Sequence, residues 1–428
     1  MIRSLSPLGR VPVVCLAALS CVLVVAPLRA QQPVQPPAAT APAPQKEPAS
    51  GLVWDDRPSF RFGKGSHVDL RARVQTDYLV KGDAETEDLT FGDRLSMRRR
   101  RVGIEGELFN RMEFQVDAAI GESQPWRDVY ADFRVNTALQ IRGGRFKVPF
   151  SLEQLTSSAN IDFLERAAAV RDLSPSRDIG VMVHGRLANR LLKYEAGLFE
   201  NDAAARLWTA GSPRTVAGRI TVAPLTDGKT RGSDAFEVSA AVVRSDLPEG
   251  RSGLTDQLVA GEDVFRAMFV NGSRTRIGGS VALRSRHADL TGELIRSMDT
   301  RRGQAIDDGD LSDLIYTGGY VSGLWHLVPG KGRKRGPSPL RALDIGARFD
   351  RLTFGSGNQD DEPFLNPRAD HVATIGKNTW TVGVNWHLNR WMKVQANTLR
   401  EQLVDPLSLL PLSATPIWST ILRFQVAM

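Results

Sequence analysis

Thr379-Trp-Thr-Val-Gly-Val-Asn-Trp-His-Leu388 places Trp380, Val382, Val384, Trp386 and Leu388 on one alternate set of positions. Thr379, Thr381, Gly383, Asn385 and His387 occupy the other. A strict period of two is the mark of a strand with one apolar and one polar face. The same alternation occurs in Val68, Leu70, Ala72 and Val74 against Asp69, Arg71, Arg73 and Gln75, and again from Glu113 to Ile120. A soluble sandwich would turn the apolar face inward and a membrane barrel would turn it toward lipid, so periodicity alone does not choose between them.

The connections do choose. Strand patterns fall near 67–77, 95–108, 112–121, 128–135, 138–147, 178–187, 191–200 and 215–223, then near 235–244, 275–284, 288–297, 315–327, 341–351, 378–388, 391–400 and 417–428. Sixteen is an even number, as in single-chain bacterial outer-membrane barrels. Connections after even strands are mostly tight, as at Phe109-Asn110-Arg111 and Asn389-Arg390, while those after odd strands are mostly long, 148–177 above all. Short turns on one rim and long loops on the other are the habit of such barrels, and a Greek-key sandwich has no reason to obey that parity. The expectation is an all-β fold, a sixteen-stranded antiparallel transmembrane β-barrel with a long loop folded into the lumen.

The 428-residue chain opens with an export signal. Arg3 and Arg10 precede an apolar run from Val11 to Ala26, and Ala30 offers a small residue for cleavage, which would leave Gln31 first. Three domains are expected: a signal peptide at 1–30, a Pro/Ala-rich periplasmic linker at 31–60 and the outer-membrane barrel at 61–428. Cys15 and Cys21 are the only cysteines and lie in the signal, so thiol chemistry, disulfides and Cys-ligated metal would leave with it. Loss of Arg3, Arg10 and Arg29 reduces the formal net charge from +7 to +4, too little to argue nucleic-acid binding. No hydrolase elbow, phosphate-binding glycine loop or zinc-protease motif is present, and the six His are scattered, so neither an enzyme nor a cofactor is expected. An outer-membrane hydrolase using His184 or His387 is the rival reading, disfavoured because both lie on the polar face.

The polar face should line water. It carries Arg71, Arg73, Arg99, Arg101, Arg134, Arg142, Lys193, Arg219, Arg348, Lys393 and Arg423, together with acids such as Asp69, Asp77, Glu105, Asp117 and Asp132. Guanidinium groups suit small oxyanions because their donors fork toward two oxygens and their charge does not titrate away. The bland alternative is that many of these groups neutralise one another across strands. The 148–177 connection follows Arg142, Arg145 and Lys147, and its Phe150, Leu152, Leu155 and Phe163 read as a segment packed inside the barrel. There Ser157, Ser158 and Asn160 would donate hydrogen bonds to an anion and Arg166 or Arg171 would supply charge, unless Glu153, Asp162 and Glu165 hold those arginines as internal pairs. Arg98 and Arg100 fall on the outward phase, where lipopolysaccharide phosphates or a second subunit would meet them.

Arg145-Phe-Lys-Val-Pro-Phe-Ser-Leu-Glu-Gln-Leu-Thr-Ser-Ser158, with Ile161-Asp-Phe-Leu-Glu-Arg166 after it, closely resembles the signature of the phosphate-selective porin O and P family. Arg98 to Arg101 before Val102-Gly-Ile-Glu-Gly-Glu-Leu, and Asp178-Ile-Gly-Val181, resemble its flanking segments. The resemblance implies a trimeric channel in the Gram-negative outer membrane, with phosphate, polyphosphate or another small anion as solute. The residues expected on the anion path are Arg71, Arg73, Arg99, Arg101, Arg142, Arg145, Lys147, Ser157, Ser158, Arg166 and Arg219. Replacing Arg142 and Lys147 with Glu is expected to move the reversal potential toward cation preference.

Overall fold

A computed structural model describes residues 50–428, except 56, 64, 83–93, 201–213, 225–234, 260–262, 266, 307, 328–342, 357–373, 406–407 and 413–414. The expected signal at 1–30, most of the 31–60 linker, the acidic runs Asp83 to Asp88 and Asp360 to Glu362, and the basic run Lys331 to Arg335 lie outside the described residues.

A short hairpin of β1 (Gly51–Asp55) and β2 (Arg57–Arg61) leads into β3 (His67–Gly82), β4 (Arg94–Leu108), β5 (Met112–Ala119), β6 (Trp126–Arg134) and β7 (Gln140–Lys147). Two single-turn helices follow, α1 (Leu152–Leu155) and α2 (Ala168–Leu173). The chain then resumes with β8 (Arg177–Leu187), β9 (Leu192–Phe199), β10 (Thr215–Val222) and β11 (Ala235–Arg251). A small hairpin of β12 (Asp256–Gln257) and β13 (Asp263–Phe265) precedes β14 (Phe269–Arg284), β15 (Ala288–Arg301), β16 (Leu311–His326) and β17 (Leu343–Ser356). The last strands are β18 (Ile375–His387), β19 (Met392–Val404) and β20 (Ile417–Ala427). Leaving out the two hairpins, sixteen strands pair antiparallel in sequence, and β20 closes on β3 from Trp418↔Gly82 to Ala427↔Arg73. Met428 and Ala72 add a reciprocal pair of backbone hydrogen bonds to that seam. Closure leaves every barrel strand with two partners, which is what a sheet in lipid requires.

Burial runs opposite to that of a soluble sandwich. Leu198, Ile220, Ile277, Leu294, Val321 and Trp380 are each more than half exposed, whereas Gln75, Arg348, Asp350, Thr381, Gln395 and Arg423 are enclosed. A contiguous outer apolar face with a polar interior is the outer-membrane arrangement. The tight turns fit the strand twist: Phe109 and Asn110 both have φ of 56°, and Arg111 N–H donates to the Leu108 carbonyl at 3.0 Å.

Two features depart from the expected layout. Residues 51–61 form the β1–β2 hairpin rather than a linker, with Ser59, Phe60 and Arg61 of β2 in register with Asp69, Val68 and His67. Arg98 does not face outward. The register of β3 against β4 jumps between Gln75↔Arg99 and Thr76↔Met97, a β-bulge that turns Arg98 inward to Glu165 at 3.1 Å. Arg100 stays exposed.

Candidate functional site

The 148–176 connection between β7 and β8 lies against inward side chains of the far wall, which supply the hydrogen bonds its irregular backbone lacks. The Ser151 hydroxyl caps α1 by accepting from Gln154 N–H. Glu293 on β15 accepts the amides of Leu152 at 2.9 Å and Glu153 at 2.7 Å. Asn385 donates to the Asp162 carbonyl, Lys393 to Ala159 and Ile161, and Arg423 to Leu164; Asn397 accepts from the Leu164 amide. Ala168, Val170 and Leu173 of α2 pack with Phe150, Tyr316 and Leu352. Full burial of a Val or Leu side chain contributes about 1.5–3 kcal/mol. The connection after β11 folds in as well, burying Leu254, Leu258 and Phe265. Its Asp256 takes Arg171 at 2.5 Å and Lys377 at 2.6 Å, tying the two inserted segments to each other and to β18.

The arginines separate into two groups. Arg71 is matched by Glu105 at 2.9 Å and Asp117 at 3.5 Å. Arg142 donates from Nε at 2.9 Å and Nη2 at 2.6 Å to one oxygen, Asp132 Oδ2, which also meets His184 at 2.9 Å. The Arg142 guanidinium lies 4.3 Å over Tyr130. Arg142, Asp132 and His184 line a cavity of about 460 Å³ near the short-turn rim, together with Arg134, Arg186 and Lys193. Arg219 rests between Glu195 at 3.6 Å and the Ser239 hydroxyl at 3.1 Å.

Arg73, Arg99 and Arg101 differ. Among the described residues no carboxylate lies within ion-pair distance of any of them. Arg73 and Arg101 are direct cross-strand neighbours, an arrangement that costs energy for like charges unless something neutralises it. Arg73 donates to the Ser158 hydroxyl at 2.8 Å and the Ser157 hydroxyl at 3.1 Å, and Arg99 to the Gln75 amide oxygen at 2.8 Å. The Nε atoms of Arg73 and Arg101 are buried with no hydrogen-bond partner among the described residues. Arg127 and Arg177 lie within electrostatic reach of Arg101, answered by Glu122 and by Asp128 at 2.7 Å respectively. Donors without a carboxylate thus stand beside the hydroxyls of Ser157 and Ser158.

The remaining expected residues hold the loop. Lys147 donates to the carbonyls of Leu155 at 3.0 Å and Thr156 at 2.9 Å, and Arg166 to those of Glu153 and Thr156. Glu165 turns to Arg98 rather than Arg166, and Glu153 faces Arg348 at 3.4 Å. Arg145 stands opposite Ile179 in the register, one phase away from Arg142. Alternation therefore places Arg145 on the opposite face of β7 from Arg142. Arg127 and Arg177 were missed because a bulge between Val116 and Ala118 on β5 interrupts the alternation opposite β6, and because Arg177 lies at the loop–strand boundary.

A closed sixteen-stranded barrel with an apolar outer face and a charged interior defines an outer-membrane porin. The sequence model of the phosphate-selective porin O and P family matches residues 68–402, and the chain belongs to that family. No curated protein matches the chain. Among solved structures, the trimer form of OmpT from Vibrio cholerae is similar, with 10% identity, a TM-score of 0.55 and coverage of 85% of this chain and 100% of that one. The outer membrane channel DcaP of Acinetobacter baumannii has 12% identity, a TM-score of 0.54 and coverage of 89% and 100%. OprB of Pseudomonas putida has 13% identity, a TM-score of 0.54 and coverage of 85% and 94%. At these identities the likeness concerns the fold.

Proposed function

We propose that the protein is a passive, anion-preferring diffusion channel whose solute is phosphate, polyphosphate or a similar small oxyanion. The observation that carries this is the Arg73–Arg101 pair, two neighbouring guanidiniums without a carboxylate, set against Ser157 and Ser158. Fixed positive charge in a narrow passage lowers the barrier for anions and raises it for cations, more strongly where bulk water is thin. The inserted 148–176 segment narrows the passage beside this pair. Family membership supports the choice of oxyanion.

The channel is proposed to assemble as a homotrimer, an arrangement with precedent in the trimer form of the V. cholerae barrel. Lipopolysaccharide surrounds its long-loop rim, and a leader spanning 1–30 directs its export. A hydrolytic reading finds little support, because His184 and His387 turn into the barrel toward Asp132 and Asp344, away from the lipid face where such a site would need them. The direct test is single-channel recording in chloride with phosphate added stepwise. Phosphate should block the chloride current in a saturable way; a chloride current indifferent to phosphate would remove the oxyanion from the proposal.

A further inference from the structure

The β1–β2 hairpin lies at the barrel seam. β20 and Met428 cover the edge of β3 from Gly82 down to Ala72, and β2 takes over that edge from Asp69 to His67. The site is the short-turn rim, because the Asn110 amide donates to the Gly65 carbonyl at 3.0 Å and the Phe109 amide to the Ser66 hydroxyl at 3.0 Å. The inner face of the hairpin is polar. Arg57 reaches Asp69 at 2.9 Å and also pairs with Glu105.

The outer face is apolar and open. Leu52 is in register with Phe60 and Trp54 with Pro58, so all four share one side. Phe60 pairs with outward Val68, which aligns that side with the outer face of β3. Leu52 is 77% exposed, Trp54 63% and Phe60 53%, and the Phe60 and Phe62 rings lie 5.9 Å apart. Elsewhere on this rim the outward positions near strand ends are also aromatic: Phe133 on β6, Trp325 on β16 and Trp386 on β18. At the seam, the outward positions are Val68 and Leu70 on β3 and Val426 on β20, with Phe424 one outward step further from the rim. The hairpin therefore supplies the aromatic residues at the rim itself.

We infer that the outer face of the β1–β2 hairpin is a lipid-binding surface, seated among the phospholipid headgroups of the periplasmic leaflet and completing the aromatic girdle at the seam. Trp suits that depth because its ring is apolar and its N–H seeks the wet headgroup layer. The surface joins the barrel's apolar outer wall at the level of the rim aromatics Phe133, Trp325 and Trp386, the depth of the lipid headgroups. This inference rests on the outer-membrane placement of the barrel and is independent of its solute.

The test reconstitutes the full chain in phosphatidylcholine bilayers brominated at shallow or deep chain positions. The Trp54 signal is the parent emission minus that of Trp54→Phe. A seated hairpin loses more of that signal with shallow bromines than with deep ones, and loses little to aqueous acrylamide. Quenching by acrylamide with no loss to either bromolipid would overturn the inference, because the hairpin would then stand in water. Shielding from both, with a photo-crosslinker at position 54 joining two copies, would also overturn it and assign the face to a neighbouring subunit. Trp380→Phe, taken the same way, reports the barrel wall. If that signal also escaped the bromolipids, the lipid placement of the barrel itself would fail.

Discussion

The Arg73 guanidinium on β3 donates to the Ser158 hydroxyl at 2.8 Å, joining the barrel wall to a segment 85 residues further along the chain. The bond leaves the charge of Arg73 unneutralised while fixing its direction. Next to it stands Arg101, also without a carboxylate.

Ser157→Ala with Ser158→Ala removes two hydroxyls beside the unmatched guanidiniums. At about 1 kcal/mol for each lost hydrogen bond, the phosphate concentration that halves the chloride current should rise by about thirtyfold. Chloride conductance in the absence of phosphate should change much less. Titration of single-channel current reads both quantities.

Arg142→Gln together with Asp132→Asn should barely alter ion preference, because the pair is neutral as it stands and its joint removal leaves the lumen charge unchanged. Arg101→Gln should lower anion preference clearly. An equal effect of the two would show that pairing does not determine which arginines the ion senses.

Glu293→Ala would strip two backbone amides of α1 of their acceptor. Each orphaned amide costs about 1–3 kcal/mol, and Tyr320 would lose its acceptor as well. The inserted segment should loosen while the wall persists, giving larger and noisier single-channel steps and faster proteolysis within 148–176. Heat-modifiable migration on gels should remain.

Burial pushes the Glu153 carboxyl up to about 7, with Arg348 opposing the shift and Glu293 adding to it. A folded-state value above the ordinary carboxylate range means that the protonated form is favoured in the native state. Its stabilising contribution is therefore complete below about pH 4.5 and fades as pH rises through 7. Protonation also removes a negative charge from the passage. Anion preference should be greater near pH 5 than near pH 8, and Glu153→Gln should shrink that step.

Much of the barrel was legible in the sequence because a strand exposed to lipid on one face and water on the other must alternate. Val382 and Thr381 could not exchange faces without burying a polar group in hydrocarbon or exposing an apolar one to the lumen. The inserted loop was legible from its length and from apolar residues such as Phe150 and Phe163, which sit too far from any strand to face lipid. Alternation identifies a face and says nothing of partners. It placed Arg142 beside Arg101 in importance, although Asp132 neutralises one and nothing described neutralises the other. It also fails at bulges, which is why Arg98 was assigned to the outside. Pro58 and the short apolar run Leu52-Val53-Trp54 concealed the seam hairpin, since five-residue strands carry too few periods to register.

The central claim is that the unmatched Arg73–Arg101 pair sets the ion preference of an open pore. Reversal potential across a planar bilayer under a potassium chloride gradient measures it most directly. The parent should reverse on the chloride side of zero, and Arg73→Gln with Arg101→Gln should move the potential strongly toward zero while the channel still conducts. A parent potential on the potassium side, or one unchanged by the double replacement, would contradict the account.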